Sequence, residues 1–254
     1  MKNFKLELNY YTPPELIEWA ARFSWLSHHL QTEESHKDFL KNMMTLGHKS
    51  PLDASLVCFS IHGVDRATTH QIVRHKLGFS QESQRYVKQS QSEFYNHPDL
   101  HSKIVDIPFQ KGVPLPLHGG KMDIETYYEI GRQFYVGLLK QGVSKEVARR
   151  VLPEATTCSM ALWGSVRGIT DFCMARMSPE AETPVRTIAA AMFDTMKVIY
   201  PWIFDSEKTN VVRAKAIDLH EITIVDKPFT EYRGFKHDKK FPRNNEKTIK
   251  ESLA

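Results

Sequence analysis

RATTHQIVRHKLGFSQESQRY, residues 66–86, contains an unusual density of side chains that bind phosphate and carbonyl groups. Residues 74–76, Arg-His-Lys, are three adjacent cationic or polar donors, and Gln71 lies one helical turn before them. Polar residues follow from position 80 to position 85 without an apolar interruption. Segments that only build a core do not have this composition. The stretch therefore predicts a site for a polyanionic ligand that carries a ring.

The residues just before this stretch predict a strand and then a helix. The run SLVCFSI, residues 55–61, is apolar and has the length of a strand, which His62-Gly63 is expected to end. Asp65 can accept backbone N–H groups at the start of a helix that carries Gln71. We expect the chain to leave this helix near Gly78, because glycine is typical of helix ends.

Capping residues, prolines and apolar spacing predict further helices on both sides of the stretch. Their predicted bounds are about residues 13–28, 39–46, 123–140, 144–151, 158–177 and 178–201. Residues 96–120 are rich in proline and glycine and are interpreted as a loop-like insert. Together with the strand, these helices favour a mixed α/β protein.

Composition limits the class of protein. With 254 residues, of which 41% are hydrophobic, the chain can bury one sizeable core, and we expect a single α/β domain over residues 1–235. The tail, residues 236–254, is lysine-rich and predicted to be flexible or solvated. No apolar run reaches membrane-spanning length and no signal peptide is recognisable, so a cytoplasmic protein is expected. The net charge of +4 suits small anionic ligands and only weakly favours nucleic acid.

Cysteines and isolated histidines indicate no chemistry of their own. The cysteines are Cys58, Cys158 and Cys173. They are odd in number, widely spaced and set among apolar neighbours, which is typical of reduced core thiols. His48, His62 and His70 lack Cys or carboxylate partners at metal-ligand spacing, so no metal site is predicted.

A second polar group lies on the predicted later helices. Arg149 is near the end of one, while Arg167 and Asp171 are four residues apart on one face of the next. An exposed ion pair is the ordinary interpretation of such a pair. Arg176 is different, because it lies in the mostly apolar sequence DFCMARM and needs an anionic or carbonyl partner to offset its desolvation. A ligand could provide that partner.

Two regions resemble the flavin-dependent thymidylate synthases. DRATTHQIVRHKLGFSQESQRYV is similar to the family signature, in which Arg-His-Arg is followed by seven residues, a serine and then an Arg-Tyr pair. ARRVLPEA and WGSVRGITDFCMAR resemble the second and third conserved blocks. The resemblance covers roughly residues 45–90 and 145–200. It implies an α/β fold with a twisted, largely antiparallel sheet flanked by helices, and homotetramers whose active sites are built from more than one subunit.

The resemblance also implies an activity. Family members convert dUMP to dTMP by reductive methylation, with methylenetetrahydrofolate as the carbon donor, reduced FAD as the hydride donor and NADPH as the reductant of the flavin. No cysteine nucleophile is used. Two alternatives stay open: a divergent relative that methylates or hydroxymethylates another pyrimidine nucleotide, such as UMP, and a noncatalytic nucleotide- or RNA-binding protein, which the basic tail would suit.

Site residues follow from the resemblance position by position. The residues implied for dUMP are Gln71, Arg74, Ser83, Gln84, Arg85, Arg149 and Arg176. The residues implied for FAD are Arg74, His75, Lys76, Gln81, Glu82, Ser165, Arg167 and Asp171. Arg85, Arg149 and the Ser83 hydroxyl would bind the phosphate, and Gln71 would fix its orientation. Arg176 and Ser83 are the implied catalytic residues, with the Arg176 cation favouring an electron-rich pyrimidine whose C5 can attack the one-carbon unit.

Several positions depart from the family pattern, mostly on the flavin side. Lys76 replaces the second arginine of the triplet, which keeps the charge and loses the planar, two-pronged donor. Six residues rather than seven separate Lys76 from Ser83, so side chains on this loop could be re-aimed. Ala54 stands where the family usually has histidine. Ser165 and Asp171 stand where asparagine is common, and Asp171 adds a negative charge. Taken alone, Ser83 could simply cap a turn and His75 could be structural.

Overall fold

A five-stranded sheet organises the protein, in the strand order β3-β6-β2-β1-β7. The computed structural model describes residues 4–95, 97, 99–100, 103–106, 121–204 and 222–224. Its strands are β1 (Lys5–Tyr11), β2 (Val57–Asp65), β3 (Gly78–Gln81), β4 (Ile104–Asp106), β5 (Lys121–Asp123), β6 (Thr157–Gly164) and β7 (Ile222–Ile224). Neighbouring strands are antiparallel, except that β1 and β7 run parallel. Strands β4 and β5 form a separate antiparallel pair.

Helices precede, connect and follow these strands. They are α1 (Pro14–Arg22), α2 (Ser35–Thr45), α3 (Arg66–Ile72), α4 (Ile124–Lys140), α5 (Lys145–Ala148), α6 (Val166–Arg176), α7 (Thr183–Ile199) and α8 (Pro201–Phe204). Short 3₁₀ turns occupy Phe23–Trp25, His28–Leu30, Ser50–Asp53 and Arg149–Val151. The expected α/β class with a largely antiparallel sheet flanked by helices is thus confirmed. None of the described helices combines the length and the apolar character that a membrane span requires.

The core lies between the sheet and the helices that follow β6. Alternate residues of β6, among them Met160 and Leu162, are buried, as expected for a strand with one face on a core. Phe172 of α6 and Met192 of α7 belong to the same buried cluster. Burial of each such side chain contributes about 1.5–3 kcal/mol to folding. This packing fixes α6, and with it the position of Arg176, relative to the sheet.

Strand β2 runs directly into helix α3. The strand was predicted to end at His62-Gly63, but it continues to Asp65. Gly63 adopts a φ of 75°, and the pairing with β6 shifts register between His62 and Val64. A bulge of this kind lets the strand continue past the irregularity. The chain then reaches Asp65, whose Oδ1 accepts a hydrogen bond from the Thr68 amide at 2.6 Å. The predicted cap of α3 is therefore confirmed.

Two other helix predictions are confirmed with small changes of bounds. Asp123 caps α4 by accepting from the Thr126 amide at 2.7 Å, and α4 ends at Lys140 as expected. The helix predicted over residues 39–46 begins earlier, at Ser35, and ends before Gly47, which has a φ of 79°. The helix predicted over residues 144–151 is divided into α5 and a 3₁₀ turn.

The helix predicted over residues 158–177 is wrong in its first half. The segment TCSMALWG is strand β6, which lies between β3 and β2 in the sheet, and only after Ser165 does the chain become helical. A short apolar run has the same hydrophobic content in a strand and in a buried helix, so periodicity alone does not separate the two. The Ser165 hydroxyl, which accepts from the Gly168 amide at 3.1 Å, marks the true helix start.

Three further bounds differ from the predictions. Helix α1 ends at Arg22 instead of near residue 28, and Leu26 beyond it adopts a left-handed φ of 47°. Helix α3 ends at Ile72 rather than near Gly78, which instead begins β3. Helix α7 begins at Thr183, after the predicted start at residue 178. Most of the proline-rich insert and the whole 236–254 tail lie outside the described residues.

Candidate active site

Helices α3 and α6 bring three of the predicted site residues together. Arg176, the last residue of α6, donates from Nε to His75 Nε2 at 2.7 Å and from a terminal nitrogen to the Gln71 carbonyl oxygen at 3.4 Å. The Phe172 ring, one turn earlier on α6, meets His75 edge-on with ring centroids 4.9 Å apart. Sequence positions 101 and 105 residues apart thus converge, and a carbonyl partner of the kind expected for Arg176 is present in the protein itself.

Gln71 is held by an acidic residue that the sequence analysis missed. Its side-chain amide donates to the carboxylate of Glu182, which immediately precedes α7. Burial raises the pKa of Asp65 and that of Tyr95 above their ordinary values, and the negative charge of Glu182 adds to both shifts. A fixed amide nitrogen leaves the Gln71 side-chain oxygen as the part of the group available to a ligand.

A turn that follows β3 carries two of the three predicted phosphate-binding residues, Ser83 and Arg85. The Ser83 hydroxyl accepts from the Arg85 amide at 3.3 Å, and the Ser83 carbonyl accepts from the Tyr86 and Val87 amides at 3.0 and 2.9 Å. Ser83 therefore stabilises this turn, whatever else it binds. Gln84 is buried beside it, and Lys145 donates to the Tyr86 carbonyl at 2.6 Å.

Arg85 is anchored to helix α5 by an exposed, two-pronged ion pair. Its Nε lies 3.0 Å from one oxygen of Glu146, and a terminal nitrogen donates to the other at 3.2 Å. Arg149 begins the 3₁₀ turn that continues from α5. The Ser83 turn and Arg149 thus belong to one substructure. Exposed pairs of this kind contribute less than about 1 kcal/mol, so an incoming phosphate could displace Glu146 from Arg85.

Gln81 and Glu82 bind the adjacent strand β6 and its surroundings. Gln81 donates to the Thr69 hydroxyl at 2.7 Å and to the Cys158 sulfur at 3.1 Å. The Glu82 carboxylate accepts from the side-chain amide of Gln89 at 2.9 Å and from the backbone amide of Ser159 at 3.3 Å. Both side chains were predicted to contact FAD, and in this structure they connect β3 to its neighbours.

The start of α6 carries the remaining predicted flavin residues. Ser165 donates to Asp53 Oδ1 at 3.0 Å, and Arg167 approaches Asp53 Oδ2 at 3.3 Å. Asp171 lies 4.0 Å from Arg167 on the same helix, so the ordinary ion-pair interpretation applies here. Asp53, which stands next to the unusual Ala54, therefore joins two predicted site residues and was not recognised from the sequence.

Arg74 and Lys76 are exposed cations on the segment between α3 and β3. His75 between them faces inward toward α6. Within the triplet, the two cationic residues are therefore exposed to solvent, and the imidazole of His75 contacts Arg176.

The thiols are poor candidates for a nucleophile. Burial raises the pKa of Cys58, Cys158 and Cys173 above the ordinary value for a thiol, and the last two are buried in the core. Raised thiol pKa values suppress the reactive thiolate. Within the described ranges, no group of three or more His, Cys, Asp or Glu side chains is placed to hold a metal ion.

Apart from Arg74, Lys76, Gln81 and Glu82, the predicted residues form three groups within one chain. Gln71, His75 and Arg176 form the first; Ser83, Gln84, Arg85 and Arg149 form the second; Ser165, Arg167 and Asp171 form the third. Among the contacts of the described residues, none joins Ser83 to Arg176. The acidic partners that the sequence analysis missed, Asp53, Glu146 and Glu182, are 61 or more residues away from the side chains they bind. No spacing signal in the sequence reveals contacts of that range.

Comparison with known proteins identifies similar chains. A family model described as thymidylate synthase complementing protein matches residues 7–202. The flavin-dependent thymidylate synthase of Geobacter sulfurreducens is 31% identical over 209 residues, which cover 79% of this chain and 85% of that protein. The enzyme of the same name from Sulfolobus acidocaldarius is 27% identical over 213 residues, covering 83% of this chain and 74% of that protein.

A solved structure shares the fold. The crystal structure of thymidylate synthase X from Helicobacter pylori with FAD and dUMP superimposes with a TM-score of 0.59 at 19% sequence identity. The match covers 80% of this chain and 97% of the Helicobacter chain. At this level of identity the likeness demonstrates a common fold.

Proposed function

Because the chain belongs to the family of flavin-dependent thymidylate synthases, we propose that it converts dUMP to dTMP by reductive methylation. Methylenetetrahydrofolate supplies the carbon in this proposal, and NADPH reduces the flavin. The observation that carries the proposal is the fixed guanidinium of Arg176, held by His75 and by the Gln71 carbonyl within a chain that matches the family over residues 7–202. The expected dTMP product places the enzyme in nucleotide biosynthesis.

Arg176 has the chemistry that the reaction requires of the protein. Two of its N–H donors are engaged by His75 and Gln71, and within the described part of the chain the others remain for a ligand. A permanently cationic group beside the uracil N3 and its carbonyl stabilises negative charge on the pyrimidine. Charge drawn into the ring in this way makes C5 a better nucleophile toward the one-carbon unit. Because the guanidinium is already held in place, little reorganisation is needed when the charge develops.

The Ser83 turn and Arg149 are proposed to bind the phosphate of dUMP. Charge-assisted hydrogen bonds from arginine to phosphate are short and strong, and two arginines with a hydroxyl match its oxygens. The turn geometry supports this assignment, because the Ser83 hydroxyl accepts from the Arg85 amide and holds the two residues side by side. Gln71, with its amide nitrogen held by Glu182, is proposed to orient the nucleotide through its oxygen.

The donor set of this chain fits FAD. Arg74 and Lys76 are exposed cations suited to the pyrophosphate, while Ser165, Arg167 and Asp171 offer hydroxyl, cationic and carboxylate groups for the polar parts of the cofactor. Asp53 and Asp171 together outweigh the charge of Arg167, so this group suits neutral donors better than phosphate. When bound, FAD supplies the hydride. Gln81 and Glu82, also predicted to contact FAD, hold β3 against its neighbours.

We infer a cytoplasmic homotetramer with shared active sites. Arg176 and the Ser83 turn belong to separate groups in one chain, and a site assembled from neighbouring subunits would place them around one nucleotide. Light scattering of the purified protein measures the oligomer directly. A monomer that is fully active would contradict the shared site.

A reconstitution assay tests the proposed function. Purified protein with FAD is expected to absorb as a flavoprotein and to form dTMP only when dUMP, methylenetetrahydrofolate and NADPH are all present. Mass spectrometry of the product separates methylation from hydroxymethylation, and UMP in place of dUMP tests the acceptor. A protein that binds no FAD, or that leaves dUMP unchanged with every component present, would refute the proposal.

Arg85→Ala is expected to weaken dUMP binding, because it removes a charge-assisted contact to the phosphate, which is worth about 1.5–3 kcal/mol. Glu146→Gln is the matched variant: it removes the carboxylate that competes with the phosphate, so we expect dUMP to bind at least as tightly as to wild type. Calorimetric titration with dUMP measures both. Equal weakening in the two variants would mean that the ion pair itself, rather than Arg85, shapes the site.

A further inference from the structure

The hydrogen bond between His75 and Arg176 constrains the state of the imidazole. Arg176 Nε always carries a proton and donates it, so His75 Nε2, at 2.7 Å, must accept with a lone pair. The imidazole is therefore neutral, with its own proton on Nδ1. The family resemblance implies that His75 contacts FAD. Nδ1–H still allows that contact, while Nε2 is committed to the protein.

Three contacts together fix the plane of the guanidinium. His75 Nε2 holds Nε, the Gln71 carbonyl holds a terminal nitrogen, and Phe172 packs edge-on against the imidazole. His75 is tied to its own turn, since its amide donates to the Ile72 carbonyl at 3.2 Å and its carbonyl accepts from the Leu77 amide at 2.8 Å. The imidazole thus connects a rigid turn after α3 to the end of α6.

We propose that neutral His75 is a positioning residue that orients the Arg176 guanidinium toward the pyrimidine, and that its protonation releases Arg176. The inference rests on the proposed function, because it specifies how the reaction's cationic group is held. A protonated imidazole has no lone pair for Arg176 Nε and carries a like charge next to it. Loss of orientation by about 1 Å is enough to lower a rate by about 10²-fold.

The electrostatic surroundings favour the neutral form. Burial, and to a lesser extent the positive charge of Arg176, holds the pKa of His75 below its ordinary value of about 6.5. Among the described residues, the groups that face the imidazole are Arg176 and Phe172 from α6 and the Ile72 and Leu77 backbone from its own turn. The proposed alignment is therefore complete above about pH 6.5 and is lost as the pH falls through the lowered pKa.

Two substitutions separate the two properties of His75, which are its ability to accept a hydrogen bond from Arg176 and its ability to become protonated. In His75→Gln an amide oxygen can accept from Arg176 and does not titrate, so most of the turnover should persist while the loss of turnover at acid pH disappears. In His75→Phe the contact with Phe172 is kept without an acceptor, so kcat should fall about 10²-fold at every pH. His70→Gln, an exposed histidine on α3 outside the site, is the matched control and should retain the wild-type profile.

The measurements are pH profiles of kcat from about pH 5.5 to 9, with flavin absorbance and dUMP affinity recorded for each variant. Protonation of the dUMP phosphate at acid pH lowers turnover equally in wild type and in His75→Gln. Only the difference between the two profiles therefore reports on His75. Identical profiles in these two proteins, or wild-type turnover in His75→Phe, would overturn the inference. Loss of activity that follows loss of bound FAD would assign His75 to the cofactor instead.

A spectroscopic measurement is independent of the reaction. In ¹⁵N-histidine-labelled protein, with His75→Gln used to assign the signal, the His75 ring should show the neutral Nδ1–H tautomer at pH 7. A proton on Nε2, or a charged ring at that pH, would contradict the inference even if dTMP is formed. Failure of the proposed function would appear separately, as absence of dTMP from a wild-type protein whose His75 has the expected tautomer.

Discussion

Arg176→Lys is expected to lower kcat for dTMP formation by about 10²–10³-fold while changing dUMP affinity much less. Lysine keeps the positive charge and loses the planar donor array, so it reproduces neither the Nε contact with His75 nor the contact with the Gln71 carbonyl. The charge that stabilises the pyrimidine is then present without a fixed position. Arg176→Ala removes the charge as well and should be at least as damaging.

Steady-state kinetics combined with dUMP titration distinguishes these effects. A loss confined to kcat indicates an interaction made in the transition state, whereas an increase in KM alone indicates uniform binding. Arg186→Lys is the control, because Arg186 on α7 donates to the Pro179 carbonyl outside the proposed site, and should leave kcat unaltered. If Arg176→Lys merely weakens dUMP binding with kcat intact, the electrostatic function assigned to Arg176 is wrong.

Gly78→Ala is expected to reduce the free energy of unfolding by about 1–3 kcal/mol. A Cβ at position 78 would lie 2.1 Å from Nε1 and 2.3 Å from Cε2 of the Trp163 indole, far inside contact distance. Gly78 is paired with Trp163 in the β3–β6 register, so the strand cannot move away without breaking its hydrogen bonds. Either the indole or β3 must shift, and β3 leads into the Ser83 turn. Activity should therefore fall together with stability.

Urea unfolding of wild type and variants tests this expectation. Gly137→Ala is the matched control, since Gly137 lies within α4 with open space at its Cβ position, and alanine there should stabilise the helix by about 0.5–1 kcal/mol. Gly78→Ala combined with Trp163→Leu should recover part of the loss, because the smaller side chain makes room. Unchanged stability in Gly78→Ala would show that the indole does not pack against this strand.

Local signals made part of the fold predictable from sequence. Asp65 and Asp123 each cap a helix through an amide three residues later, and such contacts depend only on neighbouring residues. The helix predicted across residues 158–177 failed because β6 is buried among other strands, a tertiary circumstance that no window of sequence contains. The family resemblance supplied the sheet type, which the residue patterns alone did not.

The identity of the candidate site residues was easier to predict from the sequence than the contacts that they make. Gln71 and Arg176, which the resemblance implied for dUMP, and His75, which it implied for FAD, meet in one chain. The acidic residues that bind the predicted site residues could not be predicted from sequence spacing, because Glu182 is 111 residues from Gln71 and Asp53 is 112 residues from Ser165. The interpretation of Gln81 and Glu82 as flavin contacts stays a prediction, and each of them also binds within the sheet.

The register of β3 limits how the length of this region can change. From Gly78 to Gln81 each residue pairs in order with Trp163 back to Met160. Successive side chains of a strand point to opposite faces, so one inserted residue would exchange the two faces and two would restore them. The single residue by which this chain falls short of the family spacing between Lys76 and Ser83 is thus best absorbed outside β3, next to Leu77 before the strand or Glu82 after it. We therefore expect β3 to accept changes of two residues in length, and changes of one residue to be accepted only in the segments before and after the strand.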